Sequence, residues 1–261
     1  MGSQTRIAFE GVNGAGKSHL ISAVKTAIES QGGSAFVAKI GGLAVGSQAR
    51  ERFLELDRKR RESKLSTEEE NCLARDLVFR DEYKRQIHEL LQTDLKIYTH
   101  ILLDRTPLMS WVFAASGGKS NQHLEEIREE AIRFTSLLAL NRMLVVEIPP
   151  VLIYARLIAR SLKHDRRKPI DRYLAFLNGC RPEFVQEVRS TALALANNPV
   201  IKPKPAAPSD FFSHRKLLNQ IEVYRRVAKE AGARLGFDPF VFVNTLPPHE
   251  AARRAIEIAL G

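Results

Sequence analysis

Short apolar runs alternate with longer stretches of helical periodicity along the chain. The apolar runs predict five strands, at residues 7–9, 35–38, 100–104, 143–148 and 240–243. Between these runs, apolar residues recur every three to four positions, which is the period of an amphipathic helix. Strands that are apolar throughout and separated by helices are typical of a parallel sheet. The pattern therefore predicts an α/β fold with a five-stranded parallel sheet and helices on both faces.

Capping residues mark where several helices begin. Ser66 and Glu69 form the S-x-x-E pattern of a capping box and predict a long helix from there to about residue 91. Pro150 and Pro248 each follow a predicted strand and are expected to open helices, because proline is favoured in the first helical turn. Further helices are predicted over residues 17–30, 47–64, 108–115 and 124–138.

Two stretches interrupt this alternation. Residues 161–173 are densely charged, and residues 198–213 contain four prolines, which predict an extended surface loop. We interpret the first stretch as part of a mobile basic lid at about 156–173. The second belongs to a Pro-rich insertion at about 174–220. Both are placed within a single domain that spans residues 1–261.

Composition and charge narrow the class of protein. The chain has 261 residues, of which 44% are apolar and 27% charged, as in a globular protein with a large core. Forty Lys and Arg against thirty Asp and Glu leave a net charge of +10, which favours anionic partners: phosphorylated small molecules, nucleic acid or an acidic membrane surface. Two cysteines, Cys72 and Cys180, exclude a disulfide framework. No apolar run is long enough to span a membrane and the N-terminus has no signal-peptide pattern, so a cytoplasmic location is expected.

A glycine-rich loop joins the first predicted strand to the first predicted helix. It matches the pattern G-x-x-x-x-G-K-S without a mismatch, and the strand and helix around it are the context that this pattern requires. In such a loop, backbone N–H groups and a helix N-terminus surround a phosphate chain. Lys17 is expected to reach the β- and γ-phosphates of ATP, and the Ser18 hydroxyl to ligate Mg²⁺. The residues expected to bind ATP are Gly11, Val12, Asn13, Gly14, Ala15, Gly16, Lys17, Ser18 and His19.

Four segments together resemble the thymidylate kinases. The first, residues 9–18, is similar to their F-E-G-x-D-G-x-G-K-S opening. The others are Asp104-Arg105 with Ser110 six positions after the Asp, a lid pattern, and residues 224–228 before the last strand and helix. The lid pattern consists of Pro150, Arg156 and Arg160, followed by either Asp165-Arg166 or Asp171-Arg172. The resemblance implies a P-loop NTPase fold, ATP with Mg²⁺, dTMP as the first candidate acceptor and a homodimer.

The same positions also have a chemical interpretation. Asp104 ends a predicted strand at the sheet edge where α/β proteins bind ligands, so it could hold Mg²⁺ together with Ser18. Arg105 could bind the phosphate of an acceptor through its planar guanidinium. Arg156 and Arg160 lie four positions apart on one helical face and could neutralise the transferring phosphoryl group. With Lys17, these four residues are the predicted catalytic set.

The acceptor side departs from the thymidylate kinase pattern. Their P-loop Asp is Asn13 here, their base-pairing Gln falls on Ala114, an Arg falls on Tyr83, and Lys39 follows the second strand where deoxynucleoside kinases carry Glu. A pocket that loses its polar partners usually loses its specificity as well. The residues expected to bind the acceptor are Glu10, Lys39, Phe79, Arg80, Tyr83, Arg105, Ser110 and Phe113.

Three functions therefore stay open. The first is an ATP-dependent nucleoside monophosphate kinase. The second is a P-loop kinase that phosphorylates a hydroxyl on a modified nucleoside or on DNA, with Glu10 or Asp104 as the base and possible nucleic-acid contact through the basic run at residues 58–64. The third is a non-catalytic nucleotide-binding protein. The seven histidines show no metal-ligand spacing, so a zinc or histidine-based hydrolase has no support.

Overall fold

Five parallel strands form one sheet in the structure, a computed structural model of the chain. It describes residues 4–40, 47–74, 77–117, 121–165, 169–199, 201, 203, 214–245 and 248–261. The strands are β1 Thr5–Glu10, β2 Ala35–Lys39, β3 His100–Asp104, β4 Arg142–Glu147 and β5 Pro239–Val243. They lie in the order β2-β3-β1-β4-β5, and all four neighbouring pairs are parallel. The prediction of an α/β fold with a five-stranded parallel sheet is confirmed.

Helices flank this sheet. In chain order they are α1 Lys17–Ser30, α2 Gln48–Arg61, α3 Thr67–Ala74, α4 Leu77–Gln92, α5 Leu108–Ser116, α6 Asn121–Ser136, α7 Pro150–His164, α8 Ile170–Leu174, α9 Pro182–Ala196, α10 His214–Leu235 and α11 Pro248–Leu260. Within these same described ranges, no helix is both long enough and apolar enough to cross a membrane.

The connections between strands reverse their direction across the sheet after the first one. The connection from β1 to β2 runs toward one edge of the sheet, whereas the later connections run toward the other edge. Because crossovers are right-handed, connections in opposite directions place their helices on opposite faces. Accordingly, α1 packs against α11, while α5 packs against α10 and α6. Ligands of α/β sheets bind at the carboxyl ends of strands where such a reversal occurs.

The core is centred on β1 and its neighbours. Ile7, Ala8 and Phe9 have no solvent exposure, and the strands on either side are also buried. Phe9 is in register with Asp104 of β3 and Leu144 of β4. The carboxyl ends of β3, β1 and β4 therefore meet at one edge, and the loop that follows β1 begins between the other two strand ends.

Local sequence signals explain where the helices begin. The Ser66 hydroxyl accepts a hydrogen bond from the Glu69 N–H at 3.2 Å, and the Glu69 carboxylate accepts one from the Ser66 N–H at 3.0 Å, so the predicted capping box is confirmed. The predicted helix from this box is described as α3 and α4, on either side of residues 75 and 76, which lie outside the described residues. Pro150 opens α7, as expected.

The predicted insertion at about 174–220 contains a helix, Pro182–Ala196, that was not predicted from the sequence. Helix α9 packs along α7. Its apolar residues Phe184, Val188 and Ala192 recur at helical spacing and could have identified it. Most of the predicted extended loop at 198–213 lies outside the described residues, as does part of the predicted lid, at 166–168.

Candidate functional site

The loop from Gly11 to Gly16 turns between β1 and α1 at the central carboxyl edge of the sheet. Gly16 caps the N-terminus of α1 in a left-handed conformation, and its carbonyl accepts hydrogen bonds from the His19 and Leu20 N–H groups. Gly11 has a φ of +134°, and a Cβ atom there would lie 2.2 Å from the carbonyl oxygen of Val146 on β4. Only glycine fits at this position, because any side chain would collide with backbone.

Lys17 turns its side chain inward beneath this loop. Its Nζ donates hydrogen bonds to the carbonyl oxygens of Gly11, at 2.9 Å, and Val12, at 3.1 Å. Burial, and next the positive charge of Arg105, lower the pKa of Lys17 to about 7, although Asp104 and Glu10 partly oppose this effect. A buried ammonium group whose hydrogen-bond partners, within the described ranges, are backbone carbonyls is well placed to bind an anion.

Asp104 ends β3 beside Lys17, where its carboxylate lacks a full set of partners. Its Oδ1 is buried and has no hydrogen-bond partner among the described residues. Ser18, on the first turn of α1, is exposed, as is His19. The described residues contain no group of three His, Cys, Asp or Glu side chains that could hold a metal alone. Mg²⁺ usually takes one or two carboxylates, water and substrate phosphates, so an acidic oxygen without a partner at this edge of the sheet fits Mg²⁺ bound with a nucleotide.

Arg105 is buried directly after β3 and is held at both ends of its guanidinium. Its Nη1 donates a hydrogen bond to the Tyr224 hydroxyl at 2.8 Å, and its Nη2 donates one to Asn13 Oδ1 at 2.6 Å. The backbone of Arg105 is also unusual, because its φ of +80° is rare for residues other than glycine. Both of these hydrogen-bond partners are neutral side chains.

Glu10 lies at the end of β1, in contact with the residue that follows Arg105. Its Oε1 accepts hydrogen bonds from the Thr106 N–H at 2.5 Å and the Thr106 hydroxyl at 2.7 Å. Its Oε2 is buried and has no hydrogen-bond partner among the described residues. Burial raises the pKa of Glu10, although the charge of Arg105 and the hydrogen bonds from Thr106 oppose the increase. Two cations, Lys17 and Arg105, thus face two acidic groups, Glu10 and Asp104.

The two predicted lid arginines lie on α7. Arg156 Nη1 donates a hydrogen bond to the Gly14 carbonyl oxygen at 3.3 Å, so α7 contacts the loop directly. Burial, and next the charge of Arg160, lower the pKa of Arg156, which places the two cations close together as their spacing predicts. Of the two alternative lid acids, Asp171 forms an ion pair with Arg189 on α9.

The predicted acceptor residues fall into two groups. Arg80, Tyr83 and Ser110 line one cavity, which has a volume of about 10 Å³. That is room for about one water molecule and not for a nucleobase. Arg80 closes this region by an ion pair of 2.8 Å to Glu130 on α6, and the Ser110 hydroxyl donates to the Pro107 carbonyl oxygen at 2.8 Å.

The remaining acceptor residues are not in this cavity. Phe79 packs edge-on against Phe53 on α2, with the ring centroids 5.2 Å apart. Phe113 is partly exposed on α5, and Lys39 is exposed at the end of β2. Lys39 lies near enough to Lys17 to contribute to lowering its pKa. Ala114, at the position of the thymine-reading Gln, is fully buried.

Two residues at this edge were missing from the predicted site. Tyr224, on α10, binds Arg105, and Asn244, directly after β5, donates a hydrogen bond from its Nδ2 to the Ala15 carbonyl oxygen at 3.0 Å. Asn244 could have been found by the rule that drew attention to Asp104, because it is also the first polar side chain at the carboxyl end of a strand. Tyr224 carries no such signal, since a helix far along the chain brings it to Arg105.

The basic run at 58–64 is largely neutralised by neighbouring carboxylates. Within this run, each cation lies within 4 Å of an acidic side chain. The pairs are Arg58 with Glu62, Lys59 with Glu55 and Glu69, Arg60 and Arg61 with Asp57, and Lys64 with Glu62. A surface with such pairing presents a weaker positive field than its sequence implies.

Comparison of the sequence with models of known families finds no match, and comparison with curated proteins finds no significant similarity. The resemblance to thymidylate kinases therefore stays an expectation from the motifs.

Proposed function

We propose that the protein is an ATP-dependent phosphotransferase of the P-loop nucleotide-kinase type. The observation that carries this proposal is the position of Lys17. It lies buried under a glycine loop at the central carboxyl edge of a parallel sheet, close to Asp104, one acidic oxygen of which has no hydrogen-bond partner in the part of the chain that the structure describes. A buried cation and a free acceptor in one place match Mg²⁺ with a polyphosphate, which satisfies both.

Each residue of the site has a role in this proposal. The loop amides and Lys17 bind the β- and γ-phosphates of ATP. Ser18 and Asp104 hold Mg²⁺, which neutralises phosphate charge when it is bound. Arg105, fixed by its two neutral partners, orients the acceptor. Arg160 reaches the transferring group from α7, since its neighbour Arg156 already contacts the loop.

A nucleoside monophosphate, with dTMP first, is the acceptor that the motif resemblance suggests. A hydroxyl acceptor on a modified nucleoside or on DNA is the second candidate, and a specific observation favours it. The buried Glu10 Oε2 and Asp104 Oδ1 both have no hydrogen-bond partner among the described residues. A hydroxyl would benefit from a nearby carboxylate such as Asp104 or Glu10, whereas a phosphate needs no base.

The decisive experiment measures ADP release from Mg²⁺·ATP at low salt across a panel of acceptors. The panel contains dTMP, the other nucleoside monophosphates, the deoxynucleosides and duplex DNA with and without hydroxymethylated pyrimidines. Turnover on a monophosphate supports the first candidate, and turnover on nucleosides or DNA alone supports the second. ATP binding without acceptor-dependent turnover on the whole panel would favour a non-catalytic nucleotide-binding protein.

Two variants test the chemistry within this assay. Lys17→Ala should abolish transfer, while Lys25→Ala, which removes an exposed lysine from the same helix, should leave it unchanged. Near-normal turnover of Lys17→Ala would refute the proposal. Arg160→Ala should lower kcat more than it weakens ATP binding, because its charge acts on the transferring group. A larger effect on ATP binding than on kcat would instead assign Arg160 a role in binding ATP only.

A further inference from the structure

A loop that turns its N–H groups toward a phosphate chain must turn many of its carbonyl groups away from it. Those carbonyls need donors from the surrounding protein, since a buried carbonyl without a partner is costly. Here the Gly11 and Val12 carbonyls are bound by Lys17, and the Gly14 carbonyl by Arg156. Lys17 is expected to move from these carbonyls to the phosphates when ATP binds. The donors that hold the loop in the complex must therefore come from other residues.

Asn244 supplies such a donor to the last part of the loop. Its Nδ2 binds the Ala15 carbonyl oxygen at 3.0 Å, and its own N–H binds the Glu147 carbonyl oxygen at 2.7 Å. The side chain is only 4% exposed. Its orientation is determined, because Ala15 offers an acceptor and only the NH₂ end of the amide can donate.

Asn244 also closes the space beside Gly16. A Cβ atom on Gly16 would lie 2.9 Å from Asn244 Nδ2 and 3.3 Å from Arg156 Nη1. The loop is thus held between the end of β5 and α7. This contact fixes the peptide groups directly before Lys17, at the N-terminus of α1, and helix N-termini are where phosphates bind.

We propose that Asn244 is a positioning residue for phosphate binding, which holds the Ala15–Gly16 part of the loop through the Ala15 carbonyl. This inference rests on the proposed function, since it assumes that the loop binds a polyphosphate. Asn244 acts through the loop and does not touch the nucleoside. Loss of its donor should therefore weaken every ligand that carries the phosphate chain, whatever base is attached.

The test compares Mg²⁺·ATP with Mg²⁺·tripolyphosphate, which has the phosphates but no nucleoside. For Asn244→Ala we expect both affinities to fall about tenfold, the effect of one buried hydrogen bond. Asn244→Asp keeps the shape of the side chain but replaces its donor with a carboxylate oxygen, which would face the Ala15 carbonyl and lie near the phosphates. Both affinities should therefore fall about a hundredfold. Isothermal titration calorimetry gives both values, and circular dichroism establishes that each variant is folded.

Asn141→Ala is the matched control. Asn141 also ties a loop to a strand, through a 2.6 Å hydrogen bond from the Arg6 N–H to its Oδ1, but at the opposite edge of the sheet. It should cost stability and leave both affinities unchanged. A fall in ATP affinity with tripolyphosphate affinity intact would overturn the proposal in favour of a base contact, and wild-type affinities in both Asn244 variants would also overturn it. Failure of the unaltered protein to bind either ligand would refute the proposed function itself.

Discussion

At the scale of single residues, the site contains ionisable groups whose charged forms are disfavoured by burial. Lys17 is buried and near Arg105, and both features favour its neutral form. Glu10 is buried as well, which raises its pKa. A polyphosphate would relieve the first effect, because it brings negative charge to the lysine. The protonation state of Lys17 should therefore depend on the ligand.

This dependence predicts proton uptake on binding. The pKa of Lys17 is about 7 in the free protein and should move toward its ordinary value near 10.5 in the complex. At pH 8.5 the phosphates of ATP are fully ionised, since their last pKa is near 6. Binding of ATP at that pH should then take up close to one proton, which calorimetry in buffers of different ionisation enthalpy measures.

Lys17→Arg is the control for this measurement, because an arginine stays charged at both ends of the reaction. Its binding should occur without proton uptake, although the affinity is expected to be lower. Uptake that persists in Lys17→Arg would assign the titrating group to another residue.

Gly11 and Gly32 allow the cost of a strained backbone to be separated from the cost of a steric clash when a side chain is added. Both have positive φ, but a Cβ at Gly11 meets the Val146 carbonyl oxygen, whereas a Cβ at Gly32 meets nothing within 4 Å. Gly32→Ala should lower the free energy of unfolding by about 1 kcal/mol through strain alone. Gly11→Ala should lower it by about 3 kcal/mol, because β4 must shift. Urea unfolding measures both, and equal losses would contradict the collision.

At the scale of elements, α10 contacts the strand ends on both sides of the loop. Tyr224 binds Arg105, directly after β3, and the next residue, Arg225, pairs with both carboxylate oxygens of Glu147 at the end of β4. Since β1 lies between β3 and β4, one helix holds both flanks of the loop. This arrangement explains how a segment that follows the insertion can influence a site built by the first strand.

The pair between Arg225 and Glu147 should stabilise the fold more than a similar pair at the surface. The Glu147 carboxylate is nearly buried, and removal of its partner would leave a buried charge unpaired. Arg225→Ala should therefore cost about 2 kcal/mol of unfolding free energy. Arg234 pairs in the same two-contact way with the half-exposed Glu129, so Arg234→Ala should change stability little. Equal effects of the two variants in urea unfolding would contradict this explanation.

At the scale of the whole molecule, the net charge does not show which cations are free to bind an anion and which are paired with carboxylates. The sequence carries +10, yet the cations of the 58–64 run are paired with carboxylates on α2 and its neighbours. The predicted lid arginines Arg156 and Arg160, by contrast, lie four positions apart on α7, and Arg156 contacts the glycine loop. The positive field of the α2 surface is therefore weaker than the basic run predicts.

This distribution makes a prediction about DNA. If α2 is neutralised by its own acids, the double variant Arg60→Ala, Arg61→Ala should bind duplex DNA with an affinity within about twofold of the unaltered protein. Fluorescence anisotropy across a salt series measures both the affinity and its salt dependence. A tenfold loss with a log–log salt slope lower by about two would show that these arginines contact phosphates, and would support the nucleic-acid hypothesis.

The fold was predictable to a large extent because its signals are local. Five apolar runs became five strands, and Ser66 with Glu69 capped a helix as expected. Helix α9 was missed because its segment was interpreted only as part of an insertion, although Phe184, Val188 and Ala192 recur at helical spacing. The size of the cavity at Arg80, Tyr83 and Ser110 was not predictable, since its volume depends on how α4, α5 and α6 pack and on the ion pair between Arg80 and Glu130.

By itself, the sequence determined the parallel sheet, the glycine loop and the residues at its end, because periodicity, glycine and a Lys-Ser pair act within a few positions of one another. Only the tertiary structure decided which distant groups complete the site. Tyr224 and Asn244 reach the carboxyl edge of the sheet from α10 and from the end of β5. Hydrogen bonds across more than a hundred residues depend on strand order and helix packing, and no local pattern records them.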